Sequence, residues 1–358
     1  MSTVMRKIGI SILLAGTMLA TPGLALEVKL LDGVTTPSEN NPTVEAGKYK
    51  KDAPWVIGMS SFGVNANTWT VQVAHEAEAA AARDKRITKF VLLDAGFDQK
   101  KQVADIEDLI AQKVDAIIIQ PVTSTSADAS IEKAVAAGIP VVLHTGRIES
   151  DAFTTEIQGG AEHFGKVMGD FLVKELNGKG NIWVLRGLAG HPEDTNRYNG
   201  LVESLKGTDI KIAAEENGDW QYDKAKKVCE TLYLNDPNVD GIWSSGADMT
   251  RACVDVFKQF GAAIPPISGE GNNGFFGQWI KDNFKSVSSE YSPAQGAAGI
   301  RAAVALLEGK ELKKHYAYNP PGWDLEKAKT YYREDLSANV WWPSELSEDQ
   351  LKEFYSKQ

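Results

Sequence analysis

The chain has little cysteine, little histidine and no block of positive charge, and each shortage excludes something. Two cysteines, Cys229 and Cys253, are too few for a disulfide scaffold. Five histidines, at 75, 144, 163, 191 and 315, show neither an H-x-x-x-H nor a C-x-x-C neighbour, so neither a metal site nor a cofactor is expected. Net charge is −10 and lysines and arginines nowhere cluster, which argues against a nucleic-acid partner. No G-x-S-x-G nucleophile elbow occurs. Beyond residue 25 no segment approaches the ~18 consecutive apolar residues of a membrane span.

The start of the chain has what the rest lacks. Arg6 and Lys7 precede an apolar run from Ile8 to Ala20, followed by Pro22-Gly23 and a small-x-small site at Gly23-Leu-Ala25. That pattern reads as a secretory signal peptide cleaved after Ala25, which leaves about 330 residues, roughly two domains. Residues 26–53 are polar and read as an extension outside the core.

From Trp55 onward strand and helix patterns alternate. Strands are expected at Trp55–Ser61, Ile87–Asp94, Val114–Gln120 and Ile139–His144, with helices between them. The run Ala116-Ile-Ile-Ile119 is apolar on both faces, the mark of a parallel strand covered on both sides. The alternation breaks near Thr155–Gly160 and restarts, with strands at Asn181–Arg186, Ile210–Glu216, Gly241–Ser244, Pro266–Glu270 and Ser286–Glu290. Two parallel sheets of similar size follow. A helix is expected over Gln295–Leu307. The tail from Tyr316, rich in aromatics and proline, reads as a wrap over the domains.

Gly269-Glu-Gly-Asn-Asn-Gly274 fits the dinucleotide fingerprint. Its place late in the second series, Pro265-Pro266 in the incoming strand and the export signal argue instead for a tight turn with Glu270 at a cleft. Ligands of open α/β sheets bind beyond the carboxyl ends of the strands. Those ends carry Ser60, Ser61, Gln120, Thr145, Arg147, Arg186, Glu270 and Glu290, and nearby loops add Asn67, Trp69, Arg197, Trp220, Asp248 and Tyr291. Carboxylates and guanidinium forks suit hydroxyl groups, and indole faces suit the C–H face of a sugar ring.

Several segments together resemble the periplasmic sugar-binding proteins of ABC importers, of the ribose- and galactose-binding type. They are Ile57-Gly-Met-Ser-Ser with Asn67-Thr-Trp69, Asp115-Ala-Ile-Ile-Ile-Gln-Pro121, Ala137-Gly-Ile-Pro-Val-Val142, and Gly187-Leu-Ala-Gly190 with Arg197-Tyr-Asn-Gly200. The resemblance spans roughly Pro54 to Glu311. It implies an α/β fold of two doubly wound parallel-sheet domains joined by a three-segment hinge. An N-terminal lobe of 54–157 and 293–315 and a C-terminal lobe of 158–292 would close on the ligand, with 316–358 wrapped over them.

By position it implies that Asn67 and Trp69 are contacts from the first lobe, with Gln120 a polar group after the third strand. Arg197, Trp220 and Glu270 are the second lobe's arginine, stacking ring and acid, and Tyr291 lies on the hinge side. Ser61, Thr145, Arg147 and Asp248 complete the expected site. The family's Asp-Arg after the fourth strand reads His144-Thr-Gly-Arg147 here, and its Asn-Asp reads Ser245-Gly-Ala-Asp248, which leaves the sugar open.

The implied function is capture of a neutral sugar or sugar alcohol by a monomer in the periplasm, for delivery to an ABC permease in the inner membrane. A secreted α/β enzyme acting on carbohydrate, or a sugar-sensing partner of a chemoreceptor or kinase, are the alternatives. Cys229 and Cys253 fall on consecutive helices of the second series, expected on one face of its sheet. Export favours a bridge between them; two free buried cysteines are the other reading.

Overall fold

The computed structural model describes residues 28–357; the export signal read over Met1–Ala25 lies outside them. The chain forms β1 (Val34–Thr35), β2 (Thr43–Val44), β3 (Trp55–Ser61), α1 (Thr68–Arg83), β4 (Ile87–Asp94), α2 (Gln99–Ala111), β5 (Ala116–Ile119), α3 (Asp128–Ala136), β6 (Val141–Thr145) and β7 (Thr155–Gln158). It continues through α4 (Ala161–Glu175), β8 (Lys179–Arg186), α5 (Pro192–Leu205), β9 (Asp209–Asn217), α6 (Tyr222–Asn235), β10 (Gly241–Ser244), α7 (Ala247–Gln259), β11 (Ile267–Glu270), α8 (Asn273–Asp282) and β12 (Ser286–Ser289). Last come α9 (Gln295–Leu307), β13 (Leu312–Lys313), β14 (His315–Tyr318), α10 (Leu325–Tyr331) and α11 (Glu348–Tyr355).

Two sheets organise the molecule. The first has the order β1-β14-β7-β6-β5-β3-β4 and is parallel except for β1; the second has the order β12-β11-β10-β8-β9 and is parallel throughout. Each is the doubly wound arrangement that βαβ units give. Ile117, Ile118, Ile119, Val141, Val142 and Leu143 are wholly buried, so the apolar run reads as it does because helices cover both faces. Each such side chain contributes about 2 kcal/mol of burial.

Three segments cross between the lobes at the hinge, after β7, between β12 and α9, and after β14, and the tail passes back to the first lobe at Trp341. The outgoing and returning segments bring the carboxyl ends of both sets of strands to one cleft. α1 starts at that cleft because Asn67 caps it. Asn67 Oδ1 accepts from Thr70 N at 3.0 Å, and Thr70 Oγ1 accepts from Asn67 N at 3.1 Å. An alanine-rich body then carries the helix away from the cleft. In the second lobe Cys229 of α6 and Cys253 of α7 are joined in a disulfide with a Cα separation of 5.4 Å.

Two expectations need correction. Of the extension expected over 26–53, the described residues 28–53 do not lie outside the core: Leu30, Leu31, Val44 and Tyr49 are buried, β1 pairs with β14 and β2 with β13. The segment is polar overall because most of it is exposed and only a few scattered residues face inward. Tyr316, Ala317 and Tyr318, expected at the start of the wrap, belong with His315 to the strand β14, parallel to β7. β7 itself, Thr155-Glu-Ile-Gln158, was legible only as a break, because its buried Glu156 is matched by His315 Nδ1 at 2.6 Å from far along the chain.

Candidate functional site

Between the lobes lies a cavity of about 40 Å³. The first lobe supplies Phe62, Asn67, Trp69 and Thr145. The second supplies His191, Glu193, Arg197, Trp220, Gly246, Ala247, Asp248 and Glu270. Tyr291 comes from the crossing segment and Trp341 from the tail.

Arg197 is its centre. The guanidinium lies 3.9 Å from the Phe164 ring centre and 4.4 Å from that of Tyr291, a cation between aromatic faces. Its Nη1 donates to Ser245 O, and its Nη2 stands 3.6 Å from Glu270 Oε1. Arg197 Nε is buried with no protein partner. Burial pushes the Glu270 carboxyl up to about 7 although Arg197 pulls it down. Glu193 is likewise raised to about 7 by burial, opposed by its hydrogen bond from Tyr291 OH and by Arg197.

His191 caps α5: its Nδ1 accepts from Glu193 N at 3.2 Å, ahead of Pro192 at the first helical position. Burial lowers its pKa to about 4, helped by Arg197. The ring is therefore neutral with its proton on Nε2, and Nε2 is buried without a protein partner. His191 meets Phe62 and Trp220 edge-on, with ring centres 5.1 and 5.4 Å apart.

Trp220 is placed by an unusual turn. Asp219 and Trp220 both have left-handed backbones, φ 54° and 56°, and Trp220 Nε1 donates to Ser245 O at 3.1 Å. The ring lies on Gly187, where a Cβ would stand 2.1 Å from Trp220 Cε2. Across the cleft Trp69 Nε1 donates to Tyr291 O at 2.8 Å, and the two ring centres are 5.4 Å apart.

Of the expected residues, Asn67, Trp69, Thr145, Arg197, Trp220, Asp248, Glu270 and Tyr291 converge on this cavity. Three do not. Ser61 and Gln120 are buried and bond to each other, Oγ to Oε1 at 2.8 Å, and neither lines the cavity. Arg147 is exposed and lines a separate depression with Ser124, Glu149 and Asn196. The reason is the turn before it: Thr145 has φ 67° and Gly146 N donates to His144 O at 2.7 Å, which sends the chain away. Arg186 is taken up by Asp194 and Glu215.

Sequence reasoning missed Phe62, His191, Glu193 and Trp341. His191-Pro192-Glu193 carries a helix-start signal that marks this edge of the sheet. Nothing in an aperiodic tail marks Trp341.

The glycine-rich turn 269–274 is occupied by the tail. Asn273 N donates to Val340 O at 2.8 Å and Gly274 N to Ala338 O at 3.1 Å, so the free amides of α8 are given to backbone carbonyls and not to a phosphate. Among the described residues no His/Cys/Asp/Glu group could hold a metal ion, and no helix is long and apolar enough to cross a membrane.

Residues 57–311 match the periplasmic binding protein domain. The chain belongs to the periplasmic binding protein family. It is 30% identical to the galactofuranose-binding protein YtfQ of Escherichia coli, over 58% of this chain and 67% of that one. It is 28% identical to a xylitol-binding protein of Mycolicibacterium smegmatis, over 63% and 66%. Among solved structures it is similar to the binding component of the arabinose ABC transporter of Shewanella sp. ANA-3, bound to L-arabinofuranose. There the TM-score is 0.71 at 25% identity, covering 77% of this chain and 94% of that one. The two doubly wound sheets, the three crossings and the cleft between them are the architecture of this family, as the sequence led one to expect.

Proposed function

We propose that this periplasmic binding protein captures a neutral sugar or sugar alcohol between its lobes and hands it to an ABC permease. The observation that carries the reading is Arg197, buried among aromatic rings and facing Glu270 in the closed cleft. Rings for C–H faces beside a guanidinium and carboxyl groups for hydroxyls are the chemistry of polyhydroxy recognition. Arg197 Nε and His191 Nε2 are buried donors with no protein partner, and ligand hydroxyls would accept from them. The charge balance favours a neutral ligand. Glu193, Glu270 and Asp248 line the cavity, and of the two nearby arginines Arg251 is taken by Asp248 at 2.8 Å. The arginine charge is thereby balanced, and an anion would meet no surplus of positive charge.

The relatives bind xylitol, galactofuranose and L-arabinofuranose by their names, which supports the ligand class. In this reading no bond is made or broken; function is closure by hinge motion at the three crossings. The cavity of about 40 Å³ holds a few waters, so the lobes stand further apart around a sugar than they do here. Asn67, Trp69 and Thr145 serve from one lobe, and Arg197, Trp220, Asp248 and Glu270 from the other, with Tyr291 between them. The protein acts as a monomer in the periplasm, exported by the segment Met1–Ala25.

A thermal-shift panel of neutral sugars and polyols tests the reading, because a ligand that binds only the folded state raises Tm. A concentration-dependent rise with at least one of them is expected. Silence across the panel would refute it.

A further inference from the structure

The family match ends at residue 311, yet one wall of the cavity comes from beyond it. The segment from Pro320 to Lys357 is fastened to both lobes. On the second lobe, Trp323 bridges Ser288, and Asn273 Nδ2 donates to the carbonyls of Arg333, Leu336 and Ser337 at 2.8, 3.2 and 3.0 Å. Trp342 N donates to Gly271 O at 2.7 Å, and Gly271 has to be glycine there, since a Cβ would stand 2.4 Å from Trp342 O. On the first lobe, Glu76 of α1 accepts from Ser344 Oγ at 2.6 Å and Glu345 N at 3.1 Å, and Arg301 pairs with Glu345.

Trp341 sits where the strap passes from one lobe to the other. Its backbone is clamped by one side chain of α1: Trp341 N donates to Gln72 Oε1 at 2.8 Å and Gln72 Nε2 donates to Trp341 O at 2.9 Å. Its indole Nε1 donates to Thr68 Oγ1 at 2.9 Å. The ring is 4% exposed and lines the cavity with Trp69, Trp220 and Tyr291. A residue serving only to tie the strap down would need neither a fixed indole nor a place on that wall. Trp342, its neighbour, is the comparison: equally buried, it is packed toward Tyr331 and is absent from the cavity lining.

We propose that Trp341 is a ligand-contacting, specificity-determining residue, supplied to the cleft by the C-terminal strap and not by either α/β lobe. The proposal rests on the carbohydrate reading of the cleft. The strap holds the indole at a set height over the cavity, so it selects among ligands of like chemistry by their size and by which C–H face they present.

The test is calorimetry of the wild type, Trp341→Ala, Trp341→Phe and Trp342→Phe against D-ribose, D-galactose, L-arabinose, xylitol and myo-inositol. Trp341→Ala is expected to lose about tenfold or more in affinity for the best probe, the scale of a buried aromatic anchor. Trp341→Phe, which keeps a ring and folds if the alanine variant does not, is expected to change the ratio between the two best probes about fivefold or more. Trp342→Phe is expected to lower Tm and leave that ratio alone. Trp341→Phe keeping both affinity and ratio while the wild type binds would overturn the proposal and leave the carbohydrate reading standing. A wild type that binds none of the five would overturn both.

Discussion

Thr68 Oγ1 donates to Asp248 Oδ2 at 3.0 Å, and this bond joins the first residue of α1 in one lobe to α7 in the other. It is a latch across the cleft, available only when the lobes are together. Burial raises the Asp248 pKa, while Arg251 and the Thr68 hydroxyl pull it down.

Thr68→Val keeps the shape and removes the donor. A hydrogen bond to a carboxyl group contributes about 1.5 kcal/mol or more. Since it exists only in the closed form, its loss should appear as about tenfold faster ligand release. Stopped-flow dissociation of the best ligand reads this directly. A release rate unchanged by the substitution would mean that the latch plays no part in closure.

Gly187→Ala should disturb the site without touching the ligand. The added methyl collides with the Trp220 ring, which then has to leave the wall of the cavity. Binding is expected to weaken by about 2 kcal/mol, as for Trp220→Ala, if the ring stacks on the ligand. Far-ultraviolet circular dichroism should stay as in the wild type. Full affinity in both variants would show that Trp220 is not a contact.

Much of this was legible in the sequence, and the reason lies in periodicity. β4, β10 and α9 fall on the residues expected, because each is bounded by turn or cap signals and carries an unbroken pattern. Asn67, Trp69, Arg197, Trp220 and Glu270 reach the cavity because strand ends and helix starts of a doubly wound sheet converge. Arg147 stands away from this cavity because a left-handed Thr145 turns the chain just before it, and a single sequence does not show φ. Glu156 and Trp341 depend on partners about 160 and 270 residues away, His315 and Gln72, so no local pattern announces them.

The buried acids give the protein an unusual pH dependence. Glu193 and Glu270 titrate at about 7 when folded, against an ordinary value near ~4.5. Between those values the folded state holds more protons than the unfolded, so their contribution to stability falls as pH rises through 7. His191 works in the opposite sense. Its folded pKa of about 4 lies below the ordinary value near ~6.5, so its contribution is lost as pH falls from 6.5 toward 4. Glu270→Gln removes one of the acids. Its Tm relative to wild type should rise from pH 5 to about pH 7 and level off above that. A difference that does not vary with pH would contradict the raised pKa.

Arg197→Met strands Glu270 in a buried site. When Glu270 is ionised, loss of a buried partner costs about 3–5 kcal/mol. At pH 5 the carboxyl is already protonated, so the penalty should shrink. Chemical denaturation at pH 5 and pH 8 measures the two values. Equal losses at both would show that the arginine does not stabilise a charge there.

Cys229 and Cys253, 24 residues apart and both fully buried, form a bridge that should stabilise the fold by about 3 kcal/mol in the chain-entropy account. Replacing both with alanine should lower Tm. Thiol titration of the unfolded, unreduced protein should find none, and two free thiols would contradict the bridge.

The most direct test of the account as a whole is titration calorimetry of the protein lacking Met1–Ala25, with neutral sugars and polyols set against the phosphate esters of the same sugars. The account predicts saturable one-to-one binding of at least one uncharged ligand, with no binding of its phosphate ester, because Glu193, Glu270 and Asp248 leave no net positive charge for an anion. Tight binding of a sugar phosphate together with no binding of any free sugar or polyol would contradict it.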